Sequence, residues 1–107
     1  MNLPAPVKTF FDADKGAADM APLDAFATDS VVEDEGRMHA GHEAIGAWWR
    51  AAKARYRHTA EPCEVREEQD RTLVRAKVTG DFPGSPALLT FAFRLAEGRI
   101  AALRIGA

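Results

Sequence analysis

The chain has 107 residues, of which 47% are hydrophobic, so its length suits one compact domain with a single core, residues 1–107. Its 14 basic and 16 acidic residues nearly balance, and arginines are spread from Arg37 to Arg104, which is not the pattern of a nucleic-acid-binding protein. The single cysteine, Cys63, excludes an intrachain disulfide, and no stretch is apolar for long enough to span a membrane or export the chain, so we expect a soluble, cytoplasmic protein.

The first third of the chain predicts a pair of helices. Apolar residues follow Pro6 at helical spacing, which indicates a short helix ending near Lys15: Val7, Phe10 and Phe11. Asp19 can cap a second helix, because apolar residues again recur on one face: Met20, Leu23, Phe26 and Ala27.

The segment “VVEDEG” predicts the first strand of a small hairpin. Its two valines are β-branched and follow a turn-forming Asp29-Ser30 pair, and Gly36 permits a tight reversal into “RMHA”. A third helix is predicted to begin at about Gly41 and to end near Arg55, with one broad apolar face: Ile45, Trp48, Trp49 and Ala52.

The second half of the chain alternates with the period of strands. Four segments, “HTAEPCEVREE”, “RTLVRAKVTGDF”, “ALLTFAFRLA” and “RIAALRI”, are separated by short turn-forming sequences. Connections of this length predict an antiparallel meander. Helices followed by one sheet indicate an α+β domain, with the helices packed on one face.

The order of these elements resembles the nuclear transport factor 2-like superfamily over nearly the whole chain. The motifs that carry the resemblance are “FATDSVVED”, then “AGHEAI”, then “YRHTAEP” and a meander broken by “GDFPGSP”. The superfamily includes ketosteroid isomerase, SnoaL-type polyketide cyclases and limonene epoxide hydrolase. The resemblance implies a cone-shaped fold, in which three N-terminal helices pack on a strongly curved antiparallel sheet around a cavity. It also implies a homodimer formed through the outer face of the sheet.

Asp34 is the candidate catalytic base. Side chains alternate along a strand, so Val32 and Asp34 point to one face while Val31 and Glu33 point to the other. In the isomerase-like relatives the acid of the “VED” motif projects into the cavity, and the resemblance implies this role for Asp34. Apolar walls would raise its pKa and make it a useful base near neutral pH. The alternative is a solvated acid in an acidic hairpin.

The partners of the ketosteroid isomerase base are not found at the matching positions. In that enzyme a tyrosine and a protonated aspartate stabilise the enolate oxygen. The corresponding positions here fall at about Phe10 and Phe91, and phenylalanine cannot donate a hydrogen bond. Steroid isomerisation by that arrangement is not expected, and no clear Asp-Arg-Asp set of an epoxide hydrolase is present. The missing donors favour the alternative function, a non-catalytic ligand-binding or dimerisation module.

Two side chains are candidates to assist Asp34. His39 could lie at the cavity mouth as a hydrogen-bond donor or proton relay, and Tyr56 is the only phenol that could replace the missing oxygen donor. The ligand pocket is predicted to contain one histidine and five aromatic residues: Phe10, Trp48, Trp49, His58, Phe91 and Phe93. The alternative for the two tryptophans is core packing and a helix–sheet or dimer contact.

The predicted partner is a small hydrophobic organic molecule, and we expect no cofactor and no metal. His39 and His42 are three residues apart, but they straddle a strand-to-helix junction and share no helical face. If the protein is an enzyme, an isomerase or lyase with a carboxylate base is predicted. The sequence leaves open which arginines of the meander face the cavity: Arg75, Arg94 or Arg104.

Overall fold

A computed structural model of the chain describes residues 2–16 and 21–107 and shows the predicted α+β class. Helix α1 spans Ala5–Lys15 and helix α2 spans Gly41–Tyr56. The strands are β1 (Phe26–Asp34), β2 (Arg37–Ala40), β3 (Thr59–Glu68), β4 (Arg71–Thr79), β5 (Ala87–Ala96) and β6 (Arg99–Gly106). They form one sheet in the order β2-β1-β6-β5-β4-β3. In the described residues, no helix is both long and apolar enough to cross a membrane.

The predicted second helix differs most from the structure. Its cap Asp19 and Met20 lie outside the described residues, and Leu23–Ala25 forms a single turn of 3-10 helix. Phe26 already belongs to β1, where it pairs with Ile100 of β6. A short segment gains little from helix formation on its own, whereas the β-branched residues that follow favour pairing with a sheet. The described residues therefore form two α-helices and one 3-10 turn where three helices were expected.

The predicted hairpin and meander are both present in the sheet. β1 pairs with β2 through a turn in which Glu35 and Gly36 have φ values of 53° and 75°, as a two-residue hairpin turn requires. Strands β3 to β6 form an antiparallel meander. The sheet is not antiparallel throughout, because β1 runs parallel to β6. These two strands are far apart in the chain, so no tight turn fixes their relative direction.

The core lies between the inner face of the sheet and the two helices. Alternation along the strands points Val32, Val74 and Leu103 inward, and none of them is more than 1% exposed. Phe10 of α1 lies in the middle, with its ring centroid 5.5 Å from that of Trp49 and 5.5 Å from that of Phe93. These near-perpendicular contacts are the arrangement that aromatic rings prefer. The aromatic cluster fixes both helices against the sheet.

Gly80 allows the end of β4 to pass close to the chain that leaves α2. A Cβ atom at this position would lie 2.6 Å from the carbonyl oxygen of Tyr56 and 2.9 Å from Cα of His58. The neighbouring Asp81 amide donates a 2.7 Å hydrogen bond to the same Tyr56 carbonyl. The segment that carries Tyr56 and His58 therefore depends on a residue without a side chain.

We expect Gly80→Ala to lower the free energy of unfolding by about 1–3 kcal/mol, because the added methyl group collides with backbone atoms that cannot rotate away. Urea denaturation followed by tryptophan fluorescence measures the change. Gly106→Ala is the matched control, since a Cβ atom there meets no atom within 4 Å. Equal stability of the two variants would contradict the close approach at Gly80.

Candidate functional site

A cavity of about 150 Å³ opens between α1, α2 and the inner face of the sheet. Five of the six predicted pocket residues line it: Phe10, Trp48, Trp49, His58 and Phe91. The sixth, Phe93, is fully buried beneath Phe10 and belongs to the core, because α1 covers that part of the sheet. The predicted site residues Asp34 and Tyr56 also line the cavity. Most of its wall is apolar, which suits a small hydrophobic ligand.

Asp34 lies at the end of β1 on the inner face, beside the fully buried Val32. Its Oδ2 accepts a 3.0 Å hydrogen bond from the indole N–H of Trp48, which holds the carboxylate against α2. Burial raises the pKa of Asp34, and the negative charge of Glu35 acts in the same direction. The Trp48 hydrogen bond and the nearby imidazoles oppose the rise, but the pKa stays above its ordinary value. Asp34 is therefore a partly desolvated carboxylate that can accept a proton.

A second carboxylate, which the sequence analysis missed, also faces the cavity. Asp14 is 3% exposed, and its Oδ1 lies 2.7 Å from Nζ of Lys53 and 3.4 Å from Nε2 of His58. Its Oδ2 accepts a 2.6 Å hydrogen bond from the amide of Ala60. Burial by itself raises the pKa of Asp14, but the contacts with His58, Lys53 and Ala60 prevail and lower it below its ordinary value. Asp14 is therefore an ionised, buried carboxylate.

The sequence held a signal for Asp14. It lies seven residues after Val7 and four after Phe10, so it falls on the apolar stripe of α1 rather than on the solvated side. An acid at such a position needs a buried partner, because an unpaired buried charge is very unfavourable. Lys53 occupies the corresponding place on the inner side of α2 and supplies that partner.

Of the two predicted assistants of Asp34, Tyr56 lies at the cavity, whereas His39 does not. The Tyr56 hydroxyl donates a 2.8 Å hydrogen bond to Oε1 of Glu35, which connects the end of α2 to the hairpin turn. This bond to a carboxylate raises the pKa of Tyr56. His39 pairs with Val32 across the hairpin, and its ring centroid is 6.1 Å from that of Trp48. His39 lines a shallower depression beside the main cavity, not the cavity itself.

Trp48 and Trp49 both line the cavity, although they are adjacent on α2. Trp48 is half-buried, and its indole N–H donates a hydrogen bond to Asp34. Trp49 is 2% exposed, and its indole N–H has no hydrogen-bond partner among the described residues. A buried N–H without a partner costs about 1–3 kcal/mol, and neighbouring atoms cover this one.

The three meander arginines whose direction the sequence left open all lie on the outer face of the sheet. Arg75 donates a 3.2 Å hydrogen bond to Oγ1 of Thr90, and Nε of Arg104 lies 3.8 Å from Oε2 of Glu33. Arg94 is exposed between the inward-facing Phe93 and Leu95. None of the three contributes an anion site to the cavity.

His42 connects two elements of the fold and does not line the cavity. Its Nε2 lies 2.9 Å from the carbonyl oxygen of Phe26, so the first turn of α2 is connected to the start of β1. Within residues 2–16 and 21–107, no group of three or more His, Cys, Asp or Glu side chains is arranged to hold a metal ion.

Comparison with known proteins identifies the family. The family described as SnoaL-like domain matches residues 7–103, nearly the whole chain. No curated protein matches the chain. A solved structure of a candidate polyketide cyclase from Sinorhizobium meliloti is 50% identical and superposes with a TM-score of 0.91, over 96% of this chain and 94% of that one.

More distant structures share the fold alone. A protein from Catenulispora acidiphila with a ketosteroid isomerase-like fold, solved with trimethylamine, is 19% identical with a TM-score of 0.84, over 99% of this chain and 87% of that one. A candidate isomerase of the SnoaL-like family from Agrobacterium tumefaciens is 16% identical with a TM-score of 0.75, over 94% of this chain and 92% of that one. The chain therefore belongs to the SnoaL-like domain family, within the nuclear transport factor 2-like superfamily.

Proposed function

We propose that the protein binds a small hydrophobic organic molecule and moves a proton within it, as an isomerase, cyclase or dehydratase does, with Asp34 as the base. The observation that carries this proposal is the position of Asp34 in an apolar wall, fixed by Trp48 and with its pKa raised by burial. A carboxylate with a raised pKa is a stronger base, so the transfer of a proton from carbon to it is less unfavourable in free energy. The description of the Sinorhizobium meliloti relative as a candidate polyketide cyclase supports the same class of chemistry.

The size of the cavity limits the ligand. A volume of about 150 Å³ is comparable to that of an engineered protein cavity that holds one benzene ring. The enclosed part of the ligand is therefore a single ring or a short chain, and a four-ring steroid would extend into solvent.

The alternative function is a binding module without chemistry. It is favoured by one specific observation, which is that Phe10 and Phe91 line the cavity where a donor to the substrate oxygen would be expected. In this case a ligand would bind in the same cavity and leave unchanged. The two functions differ in whether protons of the bound molecule exchange with solvent.

Proton exchange into D₂O tests the proposed function without knowledge of the natural substrate. A panel of single-ring and short-chain carbonyl compounds is incubated with the protein in D₂O, and proton NMR follows the hydrogens on the carbon next to the carbonyl group. We expect at least one compound to lose these signals faster with protein than in buffer. A compound that binds, as detected by native mass spectrometry, with no exchange across the whole panel would support the binding module instead.

The outer face of the sheet is proposed to form a homodimer. The two exposed large hydrophobic residues of the described chain, Met38 and Leu88, both lie on this face, at 64% and 54% exposure. The same face carries further small or apolar side chains that are only half-buried: Val31, Ala102, Ala92 and Leu73. Charged residues of both signs surround this apolar strip, so a second copy could complement it.

We expect a dimer at micromolar concentration in size-exclusion chromatography with light scattering. Ala92→Lys should shift the protein towards monomer, because it puts a third cation beside Arg94 and Arg104 in the centre of the face. Ala54→Lys, on the exposed side of α2, is the control and should leave the assembly unchanged. A monomeric wild-type protein would exclude this interface.

A further inference from the structure

His58 is held in the cavity wall by a set of buried contacts. Lys53 Nζ donates to three oxygen atoms: the carbonyl of His58 at 2.8 Å, the carbonyl of Asp14 at 2.8 Å, and Oδ1 of Asp14 at 2.7 Å. The same Oδ1 lies 3.4 Å from Nε2 of His58. The backbone of His58 is therefore held by one buried ion pair, and its imidazole lies against the carboxylate of the same pair. Such support is more than a histidine on a cavity wall needs for packing alone.

The contact with Asp14 determines which nitrogen of His58 remains available. An ionised carboxylate accepts a proton-bearing nitrogen, so Nε2 carries a proton when it faces Asp14. Across residues 2–16 and 21–107, no hydrogen bond involves the other ring nitrogen, Nδ1. The imidazole is 20% exposed and lines the cavity.

The other donors of the cavity wall are already in use or cannot be reached. All three protons of Lys53 have acceptors, and the Tyr56 hydroxyl donates at the mouth to Glu35. The indole N–H of Trp48 donates its hydrogen bond to Asp34, and the indole N–H of Trp49 is covered by neighbouring atoms. When both of its nitrogens carry protons, the imidazole is the remaining group in the described part of the wall that can give a proton to a bound molecule.

From this arrangement we infer that His58, positioned by Asp14 and protonated on both ring nitrogens, is the acid that protonates the oxygen of the substrate while Asp34 acts as the base. The inference rests on the proposed function, because it assigns a second group to the same reaction. His58 would take the place of the hydrogen-bond donors to the substrate oxygen, which Phe10 and Phe91 cannot supply. The inference also assigns the substrate class, a small carbonyl compound with a removable proton on the adjacent carbon.

The proton transfers balance without a further reactant. Asp34 takes a proton from the carbon next to the carbonyl group, and the electron pair of the broken C–H bond forms the new C=C bond. The π electrons of the C=O bond take the Nδ1 proton of the His58 imidazolium, which gives a neutral enol. In the return step the enol O–H gives its proton back to Nδ1 and its electron pair re-forms the C=O bond. Asp34 returns its proton to the same carbon or, in a substrate with a C=C bond next to that carbon, to the far end of the dienol, where the second C=C bond has shifted. The product is an isomer of the substrate when that C=C bond is present and the substrate with an exchanged proton when it is not, and in both cases the two side chains recover their first state.

The donor role is tested with 4-nitrophenol, whose ring fits a cavity of this size and whose oxygen imitates that of an enolate. The protein carries Asp34→Asn, since a neutral residue there represents the base after it has taken its proton. Nitrogen-15 NMR should show a change in the Nδ1 signal of His58 on addition of 4-nitrophenol, while Nε2 stays protonated. The dissociation constant should rise about tenfold when His58→Gln is added.

Either of two results would overturn the inference. The first is that 4-nitrophenol shifts the indole N–H signals of Trp48 and Trp49 but leaves the His58 signals unmoved. The second is the absence of binding at millimolar concentration, because an apolar cavity with a free donor should hold this phenol. Neither result depends on turnover, so the proposed function can fail in the D₂O assay while His58 still responds to the phenol.

The same D₂O assay measures the catalytic contribution. His58→Gln should slow proton exchange about 10²-fold, within the range that a positioned acid contributes. His42→Gln is the matched control and should retain exchange, since His42 bonds to a backbone carbonyl away from the cavity. Full exchange in His58→Gln would remove the catalytic role. In Asp14→Asn, which tests the positioning of the ring, the nitrogen-15 signals should show a proton shared between Nδ1 and Nε2.

Discussion

Asp34→Asn is expected to reduce proton exchange about 10³-fold and to leave the protein folded. Asparagine has nearly the same shape as aspartate, and its side-chain oxygen can still accept the Trp48 N–H, but it cannot accept a proton from carbon. The D₂O assay, with a compound found active on the wild-type protein, measures the loss. Glu33→Gln is the matched control, because Glu33 is the next acid on β1 and faces the opposite side of the sheet.

The same substitution has an expected effect on stability that depends on pH. Burial raises the pKa of Asp34 above its ordinary value of 3.8, so the ionised form destabilises the fold. This penalty is absent at pH values below 3.8, grows as pH rises, and is complete above the folded-state pKa. Asp34→Asn should therefore raise the melting temperature by a few degrees at pH 7 and leave it unchanged at pH 3. Lower stability at pH 7 would indicate a solvated or favourably paired Asp34, contrary to the proposal.

Removal of one partner of the Asp14–Lys53 pair is expected to cost about 3–5 kcal/mol of unfolding free energy. The side chains of Asp14 and Lys53 are only 4% and 17% exposed, so either charge left alone would remain buried without compensation. Asp14→Asn and Lys53→Met, each measured by urea denaturation, give the single costs. The double variant should recover part of the loss, because it leaves no unpaired charge. If the double variant lost as much stability as the two single variants together, the two groups would not interact.

The pair of Lys8 and Asp12 on the same helix supplies the control. Its charged atoms are 2.6 Å apart, but the two side chains are 65% and 60% exposed. Solvent screens such a pair, so Asp12→Ala should cost no more than about 1 kcal/mol. A comparable loss in the exposed and the buried variants would contradict the argument from burial.

The ionised state of Asp14 also leads us to expect a loss of folding stability at low pH. Its pKa is lowered, so the stabilisation from its ionised form is present above the ordinary value of 3.8 and is lost as pH falls through the folded-state pKa. We expect the wild-type protein to lose stability steeply below about pH 4. The Asp14→Asn variant, less stable at pH 7, should show a shallower decline over the same range.

The sequence predicted those parts of the fold and the site that depend on local periodicity. The turn at Gly36, helix α2 and the four-strand meander follow from short-range patterns, and the alternation of β1 put Asp34 on the same face as Val32. The length of β1 was not predictable in this way. Residues from Phe26 onward pair with β6 at the far end of the chain, and that pairing overrides a weak helical pattern.

The site could be predicted only in part for a similar reason. The aromatic wall was accessible from composition and spacing, but the contact of Asp14 with Lys53 and His58 joins residues 39 and 44 positions apart. Phe93 was assigned to the pocket because it alternates with Phe91, and periodicity does not show where α1 closes over the sheet. Distances between remote segments required the structure.

The opposite orientations of neighbouring residues on β1 limit how this gene can vary. Glu33 meets Arg104 outside the sheet while Asp34 meets Trp48 inside it, and a single peptide unit separates the two directions. Gain of one codon directly after Val31, where β1 pairs regularly with β2 and β6, would exchange the two carboxylates and turn Val32 out to water. Single-codon insertions and deletions in this strand should therefore be tolerated less well than substitutions at its outward positions.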